Sequence, residues 1–133
     1  RPGHICGRKC EQAEAATAHN TRLVFNVCFN YGGRWDIARA AAQLAARGEP
    51  LTEASLDRAM ALAHVPDPDL VIRTSGEQRL SNFLLWQLAY AELHFTPALW
   101  PDFGEEDLRE ALEAYASRRR RYGRTSRPPL TWG

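Results

Sequence analysis

Apolar positions along the chain change their spacing several times, and each change marks an element. Residues 1–10 mix Pro, Gly and charge without periodicity and read as a loose leader, while 11–19 are Ala-rich and helical by propensity. Residues 22–29, Arg-Leu-Val-Phe-Asn-Val-Cys-Phe, form a continuous β-favouring run, the pattern of a strand covered on both faces. Asn30-Tyr-Gly-Gly breaks it. Residues 36–47 are again Ala-rich, with Ile37, Ala41, Leu44 and Ala45 on one face and Gly48 suited to the position after the last turn. Thr52 can cap a further helix with Leu56, Met60 and Leu62 facing inwards. Pro66-Asp-Pro then resets the chain into a strand over 70–74. A helix over 81–89 and a short strand over 93–95 follow, and Pro97 and Pro101 punctuate the next loop. The clearest helix covers 105–122, with Glu105, Glu106 and Asp107 in its first turn and Arg118 to Arg121 in its last, both matching the macrodipole. Leu108, Ala111, Leu112 and Tyr115 form its apolar stripe. Residues 124–133, with Pro128 and Pro129, read as a flexible tail.

Strands separated by helical segments call for right-handed crossovers and a parallel sheet, so the fold class is α/β. About three strands are visible, few for a sheet covered on both faces, and the chain reads as a partial parallel sheet flanked by helices. Composition fits this picture: 133 residues, 44% apolar and 25% charged, can bury a core. A net charge of +1 supplies no field to attract nucleic acid. No apolar run reaches the ~18 residues a membrane span needs, and no signal-peptide pattern is present. Cys6 and Cys10 have no second Cys/His pair at ligand spacing, and Cys28 sits in the apolar run as a small core residue. We therefore expect a cytoplasmic protein with reduced thiols.

The candidate chemistry is concentrated in residues 73–81, Arg-Thr-Ser-Gly-Glu-Gln-Arg-Leu-Ser, between the second strand and the helix after it. Arg73 and Arg79 present rigid forks of donors suited to phosphate oxygens. Ser81, as N-cap, would bring a helix N-terminus to the same place. The segment is either a holder for a phosphate or diphosphate or a surface loop with solvated charges. Glu92, flanked by apolar residues, is either paired with a buried arginine or a cation ligand. Glu77 reads as solvated or Arg-paired, and Asp67 and Asp69 as turn residues around Pro68. His94 reads as a packed histidine and His64 as a helix-end residue. Asn30-Tyr-Gly-Gly-Arg34 is a turn that could bring backbone close to a ligand. Phe83, Trp86, Tyr90, Phe95, Trp100 and Phe103 crowd one stretch; most read as core, and some are free to line a groove for a hydrocarbon.

Residues 67–87, Asp-Pro-Asp-Leu-Val-Ile-Arg-Thr-Ser-Gly-Glu-Gln-Arg-Leu-Ser-Asn-Phe-Leu-Leu-Trp-Gln, resemble the cis-prenyltransferases, the undecaprenyl diphosphate synthase family. So do Tyr90-Ala-Glu-Leu-His-Phe, Leu99-Trp-Pro-Asp-Phe, Asn30-Tyr-Gly-Gly-Arg-Trp-Asp and Arg120-Arg-Tyr-Gly. The resemblance covers residues 13–123, leaving 1–12 as an unmatched leader and 124–133 as the tail. It implies the C-terminal part of the cis-prenyltransferase fold and a Mg²⁺-dependent condensation of isopentenyl diphosphate with an allylic prenyl diphosphate into a cis-polyprenyl diphosphate. By the same resemblance, Arg73, Arg79 and Ser81 grip the isopentenyl diphosphate head group and Glu92 helps hold the metal. Arg121 and Gly123 belong to an element reaching across a homodimer interface. Peripheral membrane association would come through the lipid product. The family's opening Asp-Gly-Asn-x-Arg-Trp segment, with its catalytic aspartate, has no counterpart in this sequence. The chain is thus expected to be the C-terminal portion of a synthase and inactive alone. The alternative is a non-catalytic subunit of a heteromeric cis-prenyltransferase, against which stands the retained Arg73, Arg79 and Ser81 pattern.

Overall fold

The computed structural model describes residues 3–118, so Arg121, Gly123 and the expected tail lie outside the described residues. The chain divides into two compact units, residues 1–30 and 31–133.

In the first unit, helix α1 spans Gly3–Thr17 and takes in most of the stretch expected to be a loose leader. Once the Ala-rich turns are nucleated, each preceding residue adds one hydrogen bond for one fixed residue, so propagation outruns the weak local preference. The expected strand over 22–29 is not formed. Residues 22–28 carry no ladder, and Leu23, Val24, Phe25, Val27 and Phe29 are exposed. A run apolar on both faces is stable as a strand only between two neighbours, and the only ladder among the described residues joins two other strands. Cys28, expected in the core, is half-buried.

The second unit begins with α2, Gly33–Ala46, three residues earlier than the Ala-rich pattern indicated. Its C-terminus is a Schellman cap: the N–H groups of Gly48 and Glu49 donate to the carbonyls of Ala45 and Leu44, with Gly48 at φ 66°. The buried stripe is Gly33, Asp36, Ala40 and Leu44, not the Ile37-centred face. A polar position can be buried here because the Asp36 carboxylate is fully hydrogen-bonded, as described below. Helix α3, Glu53–Ala59, starts with a capping box between Thr52 and Ser55, as Thr52 led us to expect, and packs against α2.

Strands β1, Leu70–Arg73, and β2, Glu92–Phe95, pair in parallel, with Leu70 opposite Glu92 and Arg73 opposite Phe95. The α/β class and the parallel pairing hold. The crossover between them is not the expected helix over 81–89. It is a series of turns, with Ser81, Asn82 and Leu84 at positive φ. The cause is tertiary: Asn82 is consumed by the start of α2, its carbonyl accepting from Gly33 N–H and its Oδ1 from Arg34 N–H at 2.9 Å. An asparagine in the left-handed region thus caps a helix distant in sequence, and Ser81 caps none. The inward-facing positions still follow helical spacing, since Leu84, Gln87 and Leu88 are buried.

Helix α4, Glu105–Ser117, ends before the expected limit at 122, and Arg118 turns away from it with extended backbone. Asp107 reaches back to Gly104 N–H at 2.9 Å. Ala111 of its stripe is buried, but Leu108 and Leu112 are exposed, because α4 packs on the edge of β2 and little else covers it. The core is correspondingly small: Ala40, Leu44, Met60, Leu84, Leu88 and Ala111. The aromatic stretch is not core, for Phe83, Tyr90 and Trp100 are exposed and Trp86, Phe95 and Phe103 half-buried. No helix among the described residues is long and apolar enough to cross a membrane.

Candidate functional site

The C-terminal end of β1 opens into a cavity of about 550 Å³ lined by Arg73, Thr74, Ser75, Glu77, Arg79 and the apolar side chains Leu80, Phe83 and Trp100, among others. Parallel strands end their ladders here, and the crevice beyond strand C-termini is where α/β sheets hold ligands. The loop after β1 is fastened to the loop after β2. Thr96 N–H donates to the Arg73 carbonyl at 2.9 Å, Ser75 N–H to the Ala98 carbonyl at 2.8 Å and Gly76 N–H to the Thr96 carbonyl at 3.0 Å. Ser75 and Gly76, both at φ 68°, make the reversal. Carbonyls take those two N–H groups, and the cationic donors lining the cavity are the guanidiniums of Arg73 and Arg79.

Arg73 is half-buried at the strand end, held by the ladder on its own backbone. Arg79 is exposed and ion-paired with Glu77. An exposed pair of this kind is worth ~0–1 kcal/mol, so a doubly charged head group can displace Glu77. Phe83, on the apolar side, meets Tyr31 edge to face at 5.9 Å between centroids, and Trp100 stacks on Phe103 at 6.4 Å. The cavity lining therefore includes both guanidiniums and aromatic rings, which suits a small diphosphate carrying a hydrocarbon. Phe83 and Trp100 are the two aromatics that line this groove.

The other expected site residues are placed differently. Ser81 is exposed and is not among the cavity's lining residues. Glu92 begins β2, opposite Leu70, and so lies at the far end of the sheet from Arg73. It accepts a hydrogen bond from Arg118 Nη1 at 2.9 Å, and the same nitrogen donates to the Leu93 carbonyl. Of the two roles open to Glu92 from its surroundings, pairing with an arginine is the one seen; its partner is exposed where a buried one was expected. Among the described residues, no group of three or more His, Cys, Asp or Glu converges as a metal site. These donors do not fit a Mg²⁺ held by protein groups alone.

The residue that sequence inspection passed over is Asp36, wholly buried on α2. It accepts from Arg39 Nη2 at 2.8 Å, from Tyr31 Oη–H at 3.0 Å and from Ala61 N–H at 3.0 Å. Burial by itself would raise its pKa. The hydrogen bonds from Arg39, Tyr31 and Ala61, with the Arg39 charge, outweigh that and hold it below the ordinary value. Arg39 also lies over the Trp35 ring at 5.3 Å and donates to the Ala59 carbonyl. Asp36 thus ties α2 to Tyr31 and to the segment just after α3. The one sequence signal was an aspartate three residues before an arginine on a stripe otherwise made of small and apolar residues.

With this geometry in hand, the relatives are informative. The family model described as "Putative undecaprenyl diphosphate synthase" matches residues 4–123. The chain belongs to that family, and the match starts ahead of residue 13, where the resemblance was first drawn. An isoprenyl transferase of Neisseria gonorrhoeae is 55% identical over 117 residues, covering 87% of this chain and 47% of that protein. A ditrans,polycis-undecaprenyl-diphosphate synthase of Pseudomonas putida, (2E,6E)-farnesyl-diphosphate specific, is 52% identical over 122 residues, covering 86% of this chain and 49% of its own length. Among solved structures, lavandulyl diphosphate synthase from Lavandula x intermedia in complex with dimethylallyl diphosphate superposes with a TM-score of 0.83 at 41% identity, over 88% of this chain and 53% of that one. This chain spans about half the length of the curated relatives it matches.

Proposed function

We propose that this chain carries the diphosphate-holding part of a cis-prenyltransferase, an enzyme condensing isopentenyl diphosphate with an allylic prenyl diphosphate into a cis-polyprenyl diphosphate. The observation that carries the proposal is that Arg73 and Arg79 line one cavity together with Leu80, Phe83 and Trp100. The guanidiniums take the head group of isopentenyl diphosphate, and the apolar wall excludes water from its five-carbon end. Ser81 adds a hydroxyl once the adjoining turn closes on the head group. In the reaction, the allylic C1 loses its diphosphate and bonds to the terminal alkene carbon of isopentenyl diphosphate, and a proton then leaves C2. Donors fixed before the reaction stabilise charge without reorganising, and fixing the nucleophilic alkene in line removes an entropic cost.

Mg²⁺, if brought in by a bound diphosphate, would supply neutralising charge for the departing group. Glu92 joins in holding it only on leaving Arg118, and every step assigned to this chain is carried by its own side chains. We further propose that the working enzyme is a homodimer, that Arg121 and Gly123 reach the partner's site, and that the protein acts in the cytoplasm.

The test is equilibrium dialysis of labelled isopentenyl diphosphate against the purified chain. Saturable one-to-one binding is expected, weakened roughly ten- to hundredfold by Arg73→Ala or Arg79→Ala, because a charge-assisted hydrogen bond is worth ~1.5–3 kcal/mol. Binding that survives both substitutions would overturn the assignment.

A further inference from the structure

The turn Asn30-Tyr-Gly-Gly-Arg34 does bring backbone into close approach, and what it approaches is the crossover segment that carries Phe83. Gly33 N–H donates to the Asn82 carbonyl at 2.6 Å, and Arg34 N–H to Asn82 Oδ1 at 2.9 Å. Both N–H groups belong to the first turn of α2, where no intrahelical carbonyl is available to them, so Asn82 supplies the acceptors they lack. Its amide is seated against Gly32, where an added Cβ would stand 2.8 Å from Asn82 Nδ2.

Three observations connect this cap to the diphosphate cavity. First, Asn82 directly precedes Phe83, and Phe83 lines the cavity with Arg73 and Arg79. Second, the Phe83 ring is met edge to face by Tyr31, whose hydroxyl donates to the buried Asp36 at 3.0 Å. The backbone before Phe83 and the ring itself are thus both fastened to the start of α2. Third, the segment has no regular structure of its own to hold it. Ser81, Asn82 and Leu84 stand at φ 50°, 63° and 44°. Non-glycine residues stay in that left-handed region only where surrounding contacts hold them, and asparagine is among the side chains that tolerate it best.

We propose that Asn82 is a positioning residue for the apolar part of the diphosphate ligand. By fastening the crossover to the first turn of α2 it holds Phe83 in the cavity, and so sets how much of the affinity comes from the hydrocarbon. The inference rests on the diphosphate reading above and goes beyond it. It assigns discrimination between a prenyl-bearing diphosphate and a bare one to a residue that is not among the cavity's lining residues. Arg73 and Arg79 meet the same head group in both ligands. Loss of the Asn82 cap frees Phe83 and weakens the hydrocarbon contact alone.

Calorimetric titration of the same preparations with isopentenyl diphosphate and with inorganic pyrophosphate tests this. Asn82→Gly keeps the left-handed backbone free of strain and removes the side-chain cap. It should weaken isopentenyl diphosphate roughly four- to fifteenfold, the worth of one or two buried methylenes, and leave pyrophosphate unchanged. Asn82→Asp keeps Oδ1 and should restore the ratio of the two affinities. Thr52→Ala, which removes the α3 cap and does not line the cavity, should lower the melt and leave the ratio unmoved. In a Phe83→Ala background, Asn82→Gly should change the ratio no further, because it acts through that ring. Reciprocity gives a readout on the unaltered chain: isopentenyl diphosphate should slow amide exchange at Arg34 more than pyrophosphate does. Should Asn82→Gly not fold, that comparison decides alone. A ratio unchanged in Asn82→Gly, or equal Arg34 exchange under both ligands, would overturn the inference and leave the arginine site standing. A wild-type chain that binds neither ligand would overturn it together with the diphosphate reading.

Discussion

Replacing Asp36 with asparagine is the sharpest perturbation of the fold. The carboxylate is fully buried and is held by Arg39, Tyr31 and Ala61. Asparagine keeps the shape and an acceptor for Ala61 N–H but deprives Arg39 of its counter-charge. Breaking a fully buried pair costs ~3–5 kcal/mol. Arg39 keeps a side-chain exposure of 27%, so water recovers part of that and we expect about 2–3 kcal/mol. At ~4–8 °C per kcal/mol for a unit of this size, the thermal midpoint should fall by roughly 10 °C or more. The effect has a pH signature. The folded carboxyl lies below its ordinary value of 3.8, so its stabilisation is fully present above the unfolded value and is lost as pH falls through the folded one. The gap between wild type and Asp36→Asn should therefore be constant near neutrality and narrow below about pH 3.8. Urea unfolding followed by circular dichroism, at neutral pH and in acid, measures both. A difference within about 0.5 kcal/mol at neutral pH, or a gap that widens in acid, would refute the reasoning.

Other expectations follow from the same contacts. Gly33→Ala should destabilise by roughly 1–3 kcal/mol, because the added Cβ would stand 2.8 Å from the backbone nitrogen of Leu85, which cannot swing aside; thermal melts check it. Thr52→Ala removes the cap of α3 and should cost ~1 kcal/mol by the same assay. Glu77→Gln frees Arg79 from its ion pair and should strengthen pyrophosphate binding several-fold in a calorimetric titration, more at low salt than at high. Arg118→Ala unties α4 from β2 and should speed amide exchange in residues 92–95 without lowering the melt by more than ~1 kcal/mol.

Much of this architecture was legible because it is local. Helix α2 and its Gly48 stop, the Thr52 cap and the acidic start of α4 are written within a few residues of where they act. Both parallel strands were legible as β-favouring runs bounded by Pro and turn residues. What could not be read depends on distant partners. Residues 22–29 have strand composition but no neighbour to pair with among the described residues, and composition alone cannot supply a ladder. Residues 81–89 have helical spacing, and the spacing does bury Leu84, Gln87 and Leu88, yet Asn82 bonds to backbone 48 positions away and the helix is lost. The site divides in the same way. Arg73 and Arg79, chosen for their chemistry and their place after a strand, do line one cavity. The placing of Ser81 relied on a helix that does not form, and the partner of Glu92 is 26 residues further on. Asp36 was invisible because an aspartate in a first turn usually serves the helix dipole in solvent, and only the fold shows it enclosed.

The central claim is that Arg73 and Arg79 together hold a diphosphate head group. Arginine side-chain NMR during a titration with isopentenyl diphosphate tests it most directly. The account predicts saturable shifts confined to the Nε–H signals of Arg73 and Arg79, with Arg47 and Arg109, which sit in ion pairs elsewhere, unmoved. Shifts spread evenly over all the arginines, or none at Arg73, would contradict it.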